Sequence, residues 1–225
     1  MKNPHNDFIQ NDAVQKKSHL MIMIESLKGK KNPKVLELGV ERGRSTNFFL
    51  RYLEKTDGKL FSIDINDCSK SANSKNWYFL QSNDLHKDYI LDKFDEIKRE
   101  GVDLIYIDSY HENFHVLKLL NIWFKYVKKN GSIFIDDIDN FPFRKEKDIW
   151  NCIVYDLTSE IIEEFYYNNK EKTTYTKYFG ENGLGKIYKL SEFNDEPNTI
   201  KKIWKYNYFF KLIYPYLRKL KKFIK

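Results

Sequence analysis

The chain has 225 residues, 41% hydrophobic and 32% charged, a balance typical of one globular domain with a sizeable core rather than of a disordered chain. The net charge of +7 is concentrated at one end, because residues 201–225 hold nine Lys or Arg and no acid, whereas the remainder holds 30 basic and 32 acidic residues. A basic surface for nucleic acid is therefore not expected on the body of the protein.

Apolar runs and amphipathic stretches are predicted to alternate along the chain as strands and helices. The run KVLELGV follows Pro33 and is typical of a buried strand, and Gly58 and Gly101 separate later elements. The predicted strands cover 34–40, 59–65, 77–82, 102–108 and 132–137, and the predicted helices cover 13–29, 44–55, 85–99, 113–128 and 146–165.

Strands that are continuously apolar and alternate with helices indicate a parallel sheet covered on both faces. Residues 173–179 and 185–190 flank a Gly/Asn turn and predict an antiparallel hairpin at the sheet edge. We therefore predict an α/β domain over residues 31–195. An N-terminal helical or lid segment (1–30) precedes it, and a basic, aromatic, amphipathic tail (196–225) follows it.

Polar residues follow the predicted strands, where an open parallel sheet binds its ligands. Gly39 and Gly43 lie four residues apart after the first strand, which differs from the GxGxxG spacing of dinucleotide sites and suits a ligand without phosphate. Asp64 ends the second strand, where an acid accepts hydrogen bonds from ribose. Gln81 to Asp84 end the third strand and suit an adenine edge. The alternatives are an ordinary strand-to-helix turn, a surface cap and a helix N-cap, respectively.

The runs LELGVERGRS and FSIDIND resemble motifs I and II of class I S-adenosylmethionine-dependent methyltransferases, over roughly residues 33–140. The resemblance implies a Rossmann-like, doubly wound, mostly parallel seven-stranded sheet with an antiparallel edge hairpin. It also implies S-adenosylmethionine as cofactor and S-adenosylhomocysteine as product. The cofactor-binding residues that it implies are Glu37, Gly39, Gly43, Ser45, Asp64, Ile65, Asn83, Asp84 and Asp108.

Three acids end the fourth and fifth strands: Asp108, Asp136 and Asp137. Carboxylates that converge raise each other's pKa unless a cation joins them, and oxygen-only ligands suit Mg²⁺. We therefore predict a magnesium site formed by these three acids. His111 follows Asp108 by three residues and is the predicted base. The alternatives are that Asp108 serves only the cofactor amine, that Asp136 and Asp137 cap a loop, and that His111 is a surface histidine.

This Asp-xx-His plus Asp-Asp pattern is similar to the metal-dependent O-methyltransferases of macrolide sugars and to methyltransferase family 24. Catechol-type enzymes place Lys where His111 stands and Asn where Asp137 stands, so the resemblance favours the sugar-modifying branch. It implies a methyltransferase that acts on a hydroxyl of a small molecule or a sugar or glycan precursor, with His111 and Asp108 as catalytic residues. The acceptor pocket is expected to involve the N-terminal segment together with Phe141, Phe143 and Trp150.

Partners and location are less strongly specified by the sequence. The basic segment 199–225 predicts either peripheral contact with an anionic membrane or packing on the domain or on a second copy. Two distant cysteines and a polar N-terminus without an apolar core favour a cytoplasmic enzyme without a signal peptide, either free or at the inner membrane surface. The rival functions are a nucleic-acid methyltransferase, a nicotinamide enzyme and a non-catalytic membrane-associated module with a degenerate cofactor fold.

Overall fold

The computed structural model describes residues 19–202 of the chain. The predictions for residues 1–18 and for most of the basic tail lie outside this range. The strands are β1 (Lys34–Leu38), β2 (Lys59–Asp64), β3 (Trp77–Gln81), β4 (Val102–Ile107), β5 (Val127–Asp136), β6 (Thr173–Tyr178) and β7 (Leu184–Lys189). The α-helices are α1 (His19–Glu25), α2 (Arg44–Leu53), α3 (Lys87–Lys93), α4 (Asp95–Glu100), α5 (Asn113–Trp123), α6 (Phe141–Glu146) and α7 (Ile149–Asn168).

The seven strands form one sheet in the order β3-β2-β1-β4-β5-β7-β6. The pairs from β3 to β5 are parallel, whereas β7 pairs antiparallel with both β5 and β6. The predicted α/β fold with a mostly parallel sheet and an antiparallel edge hairpin is confirmed. Within the hairpin, β7 joins the sheet and β6 forms its outer edge.

The apolar strands are explained by burial on both faces of the sheet. Alternate side chains of one strand enter two different core clusters, because successive side chains point to opposite faces. In β4, Ile105 and Ile107 join the cluster that contains Trp123 of α5, whereas Leu104 and Tyr106 join the cluster that contains Phe49 of α2. A helix layer therefore covers each face.

Three predicted helix boundaries were wrong, each for a local reason. The predicted helix 85–99 is interrupted at Phe94, which leaves the helical region with φ −117° and ψ 56° between α3 and α4. The predicted helix 113–128 ends at Trp123, because Val127 already pairs with Val102 at the start of β5. The predicted helix 146–165 begins only at Ile149 and continues to Asn168, because Lys147, with φ 60°, ends α6 and separates it from α7.

Two further observations concern the cysteines and possible membrane-spanning helices. Both cysteines, Cys68 and Cys152, are free. In the part of the chain that the structure describes, no helix combines the length and the apolar character needed to cross a bilayer.

Candidate functional site

A cavity of about 880 Å³ opens at the carboxyl ends of the parallel strands. The register aligns Ile63, Leu38, Ile107 and Ile135 across β2, β1, β4 and β5. The residues that follow these four positions therefore stand side by side along one edge of the sheet. They are Asp64, Gly39, Asp108 and Asp136, and all four line the cavity.

The loop after β1 passes so close to the end of β4 that only glycine fits at its first turn. Gly39 has φ +101°, and a Cβ built there would lie 2.1 Å from the carbonyl oxygen of Asp108. The Gly39 amide donates to the carbonyl of Ile63 at 2.9 Å, and the Asp108 amide donates to the carbonyl of Leu38 at 2.8 Å. The loop is thus fixed against both neighbouring strands at the cavity floor.

Glu37 lies behind the cavity wall rather than on it. Its buried carboxylate accepts hydrogen bonds from the hydroxyls of Ser45 at 2.6 Å, Thr46 at 2.8 Å and Ser62 at 2.6 Å. Burial raises the pKa of Glu37 to about 6 in spite of these three donors. Glu37 therefore joins β1, β2 and the first turn of α2, whereas Ser45 also reaches the cavity. Gly43, at the start of α2, is not among the residues that line the cavity.

The substitution Glu37→Gln is expected to change how stability depends on pH. The folded-state pKa of about 6 lies above the usual glutamate value of 4.5, so the folded protein holds this proton more tightly than the unfolded chain. That stabilisation is complete below the unfolded-state pKa and is lost as the pH rises through the folded-state pKa, by about 2 kcal/mol. Urea unfolding of both proteins should show the variant gaining about 2 kcal/mol relative to wild type between about pH 4 and about pH 7.5. A difference that stays constant over this range would mean that Glu37 does not titrate there.

Asp64 is oriented by the glycine loop. Its Oδ2 accepts from the amides of Val40 at 2.8 Å and Glu41 at 3.1 Å, and its Oδ1 accepts from the amide of Asn66 at 2.8 Å. Burial opposes ionisation, but these backbone donors hold the pKa of Asp64 below its usual range. The result is an ionised acceptor on the cavity wall, with Ile65 next to it exposing 68% of its surface.

Asn83 and Asp84 follow β3 and differ in their hydrogen bonding. The Asn83 Oδ1 accepts from the amide of Leu85 at 2.9 Å, which leaves its amide nitrogen for other contacts. The Asp84 Oδ2 accepts from the Ser109 hydroxyl at 2.6 Å and lies 3.0 Å from Nε2 of His115. Asp84 thus connects the ends of β3 and β4 with helix α5, while both Asn83 and Asp84 line the cavity.

The structure brings Asp108 and Asp136 together around one tyrosine. The Tyr106 hydroxyl lies 2.6 Å from Oδ2 of Asp136 and 3.1 Å from Oδ2 of Asp108. Burial and the negative charge of Asp136 raise the pKa of Asp108 to about 8. Burial also acts on Asp136, but hydrogen bonds from His19 and Tyr106 hold its pKa below the usual range. The surroundings of the two acids thus act in opposite directions on their pKa values.

His111 and Asp137 complete this side of the cavity. The Nε2 of His111 lies 3.5 Å from Oδ1 of Asp108 and 3.4 Å from Oδ2 of Asp137. Helix α7 fixes both residues, because the Tyr155 hydroxyl donates to Asp137 at 2.9 Å and the Thr158 hydroxyl donates to the carbonyl of His111 at 2.9 Å. The imidazole thus stands between two carboxylates with Nε2 directed at them.

The donor set of this cluster fits a hard cation. The carboxylates of Asp108, Asp136 and Asp137 line the same cavity, and burial, followed by the negative charge of its neighbours, raises the pKa of Asp108. Within residues 19–202, however, no three acidic, histidine or cysteine side chains already stand at the spacing of a finished metal site. Mg²⁺ commonly keeps several waters and needs only one or two carboxylates, so an incomplete protein cage is compatible with it.

Several cavity residues were missed by sequence reasoning. Tyr106 lies two positions before Asp108, and the two-residue period of a strand puts both side chains on one face, so a signal was present. His19 and Glu181 approach from distant segments, with His19 Nδ1 3.9 Å from Asp136 and 3.6 Å from Glu181. Burial lowers the pKa of His19, but these two carboxylates outweigh burial, so that the pKa is raised above its usual value. Of the residues expected at the acceptor, His19 and Leu20 of the N-terminal segment line this cavity, whereas Phe141, Phe143 and Trp150 do not.

The central part of the chain is similar to a known protein family. Residues 36–138 match the model of methyltransferase family 24, described as a methyltransferase domain. No curated protein matches the chain by sequence.

Three similar solved structures share the fold at low sequence identity. The MycE methyltransferase from the mycinamycin biosynthetic pathway, in complex with Mg and SAH, is 19% identical with a TM-score of 0.55 over 92% of this chain. The chain spans only 58% of the length of that protein. A putative caffeoyl-CoA O-methyltransferase from Staphylococcus aureus is 15% identical with a TM-score of 0.58, covering 82% of this chain and 91% of its own. CalS11, a TDP-rhamnose 3′-O-methyltransferase of calicheamicin biosynthesis, is 9% identical with a TM-score of 0.53, covering 81% of this chain and 86% of its own.

Proposed function

We propose that this chain, whose residues 36–138 match a methyltransferase domain, is a class I S-adenosylmethionine-dependent methyltransferase that methylates a hydroxyl of a small molecule or of a sugar or glycan precursor. The observation that carries the proposal is the cavity, in which a glycine loop and Asp64 lie on one side and the Asp108, His111, Asp136 and Asp137 cluster lies on the other. A nucleoside-shaped ligand and a hydroxyl acceptor would thus meet in one space.

The cofactor half of the cavity would be formed by the loop after β1 and the ends of β2 and β3. The ionised Asp64, fixed by three backbone amides, has lone pairs left to accept from ribose hydroxyls. Exposed Ile65 and the amide of Asn83 would contact the adenine. Gly39 and Ser45 would border the methionine part. Glu37 would act through Ser45, Gly43 through Val40, whose carbonyl accepts from the Gly43 amide, and Asp84 through Ser109.

The acceptor half would be the acid cluster. S-adenosylmethionine, when bound, supplies an activated methyl group on a sulfonium, so the protein mainly has to align an oxygen with it and remove a proton. Mg²⁺, when bound to Asp108, Asp136 and Asp137, would supply charge that favours the deprotonated hydroxyl. Tyr106 and Tyr155 would keep these carboxylates facing the acceptor, since their hydroxyls contact Asp136 and Asp137, respectively.

His111 would receive the acceptor proton at Nε2. This nitrogen lies 3.4 Å from the Asp137 carboxylate, which would stabilise the imidazolium that results, and 3.5 Å from Asp108. The hydrogen bond from Thr158 to the carbonyl of His111 anchors the loop that carries the ring. The arrangement thus supports a general-base role for His111 and a role for Asp108 beside it.

Methyl transfer from radiolabelled S-adenosylmethionine to a panel of sugars, nucleotide sugars and catechols tests this proposal, with Mg²⁺ and with EDTA. We expect a methyl ether product on at least one hydroxyl acceptor, and loss of most of the rate in EDTA that added Mg²⁺ restores. A full rate in EDTA would remove the metal assignment. Labelling of nucleic acid and of none of the small acceptors would instead favour the nucleic-acid methyltransferase.

A further inference from the structure

Helix α7 presents an apolar face to solvent. Trp150, Ile153 and Leu157 recur at helical spacing and expose 78%, 46% and 42% of their surfaces. The opposite face of the helix is buried, with Tyr155 and Ile162 packed inward. Single apolar side chains are common on protein surfaces, but three large ones in a row form a contiguous apolar patch, which typically marks a binding surface. No described element of the chain covers this patch.

The charged residues that α7 itself contributes beside this face are all acids. A second row beside the apolar one carries exposed Asp156, Glu160 and Glu163 at spacings of four and three residues. Arg144 of α6 approaches Asp156 at 3.7 Å. Between residues 149 and 168 the sequence holds four acids and no Lys or Arg. The face therefore suits a partner that is both apolar and basic.

The last described residues are attached to the C-terminal end of the same helix. Asn168 donates to the carbonyl of Lys201 at 3.1 Å and accepts from the Lys201 amide at 3.0 Å. The Asn198 side chain donates to the carbonyl of Asn168 at 2.8 Å, and Ile200 packs against the main core. The chain thus continues past residue 202 from one end of the exposed face.

The segment that continues from this point has complementary chemistry. Residues 203–225 hold seven Lys or Arg and no acid, together with large apolar side chains such as Phe209, Leu212 and Leu220. At the helical rise of about 1.5 Å per residue, 23 residues would extend about 34 Å even with an interruption at Pro215, against about 30 Å for the 20 residues of α7. The segment is therefore long enough to cover the face from Asn168 back to Trp150.

We propose that residues 203–225 dock along the Trp150, Ile153 and Leu157 face of α7 within the same chain. Docking would bury the apolar row and pair the basic side chains with Asp156, Glu160 and Glu163. It would also brace the helix that holds Asp137 through Tyr155 and the His111 loop through Thr158. Residues 203–225 could instead bind an anionic membrane, or the α7 face could bind a second copy of the chain. The experiments below distinguish these alternatives from docking within one chain.

Limited trypsin digestion of the full chain is the first measurement. Leu157→Glu is expected to speed cleavage after Lys211 and Arg218 on the order of tenfold, because it replaces an apolar contact of the docked state with a carboxylate that docking would have to desolvate. Tyr89→Glu is the matched control, since Tyr89 is 48% exposed on helix α3, and it should leave the rate unchanged. Equal cleavage rates in wild type and Leu157→Glu would overturn the proposal, provided that both variants melt as wild type does by circular dichroism.

Zero-length carbodiimide crosslinking of an equimolar mixture of ¹⁴N- and ¹⁵N-labelled protein is the second measurement. We expect crosslinked peptides that join residues 149–168 to lysines of 203–225, with both halves carrying the same isotope. Mixed-isotope crosslinks alone would show that a second copy supplies the segment and would overturn intrachain docking. Tryptic protection that appears only after adding phosphatidylglycerol vesicles would also overturn it, in favour of a membrane.

Discussion

Replacement of Gly39 by alanine is expected to lower the free energy of unfolding by about 4 kcal/mol or more. Two effects add at this position. An alanine at φ +101° is strained by about 1–3 kcal/mol. Its Cβ would also stand 2.1 Å from the carbonyl oxygen of Asp108, so that the loop and the end of β4 have to separate. Because the same loop positions Asp64 through the amides of Val40 and Glu41, cofactor binding should be lost as well.

Gly180→Ala is the matched control for Gly39→Ala. Gly180 has a similar φ of +95°, but a Cβ there meets no atom within 4 Å. The control therefore carries the strain without the clash, and urea unfolding should separate the two variants by at least about 2 kcal/mol. Equal destabilisation by both substitutions would show that the loop after β1 is not packed against β4, which would undermine the geometry of the cofactor half.

His111→Ala is expected to lower kcat by a factor of about 10²–10⁴ while the Kd for S-adenosylhomocysteine stays within about twofold of wild type. The reason is that Nε2 of His111 faces Asp108 and Asp137 in the acceptor half, whereas Asp64 and Asn83 lie in the other half. Steady-state kinetics and calorimetry on one preparation measure both quantities.

His115→Ala provides the comparison for His111→Ala. Its Nε2 lies 3.0 Å from Asp84, so its loss should disturb the ends of β3 and β4 and weaken cofactor binding more than the chemical step. If His111→Ala instead reduces kcat and cofactor affinity in equal proportion, His111 supports the structure and is not the base.

The sheet and the positions of the strand tips could be predicted because they depend on local pattern. Continuous apolar runs fix β1, β2, β4 and β5, and the register then brings the residue after each run to one edge. Asp64, Asp108 and Asp136 were expected at the cavity for this reason. The orientation of Glu37 could not be predicted in the same way. Whether it faces the cavity or the interior depends on Ser45, Thr46 and Ser62, hydroxyl donors from two other elements that meet only in the folded chain.

The residues around the acids were harder to predict, since their roles depend on tertiary packing. Tyr106 and Tyr155 resemble ordinary core aromatics in sequence, and only their hydroxyl contacts with Asp136 and Asp137 distinguish them. His19 reaches Asp136 because α1 packs on the sheet face lined by α2, which no local spacing encodes. The predictions of helix boundaries were wrong at Phe94 and Trp123, because tertiary packing rather than the amphipathic period sets the backbone conformation there.

Calorimetric titration of the wild-type chain with S-adenosylhomocysteine tests most directly whether the five strand tips form one nucleoside site. We expect binding at one site per chain with a Kd in the micromolar range or tighter, on the order of −8 kcal/mol, and no heat with NAD. Binding of NAD, or no heat with S-adenosylhomocysteine, would contradict the account, because the cavity lined by Gly39, Asp64 and Asp108 would then serve another ligand.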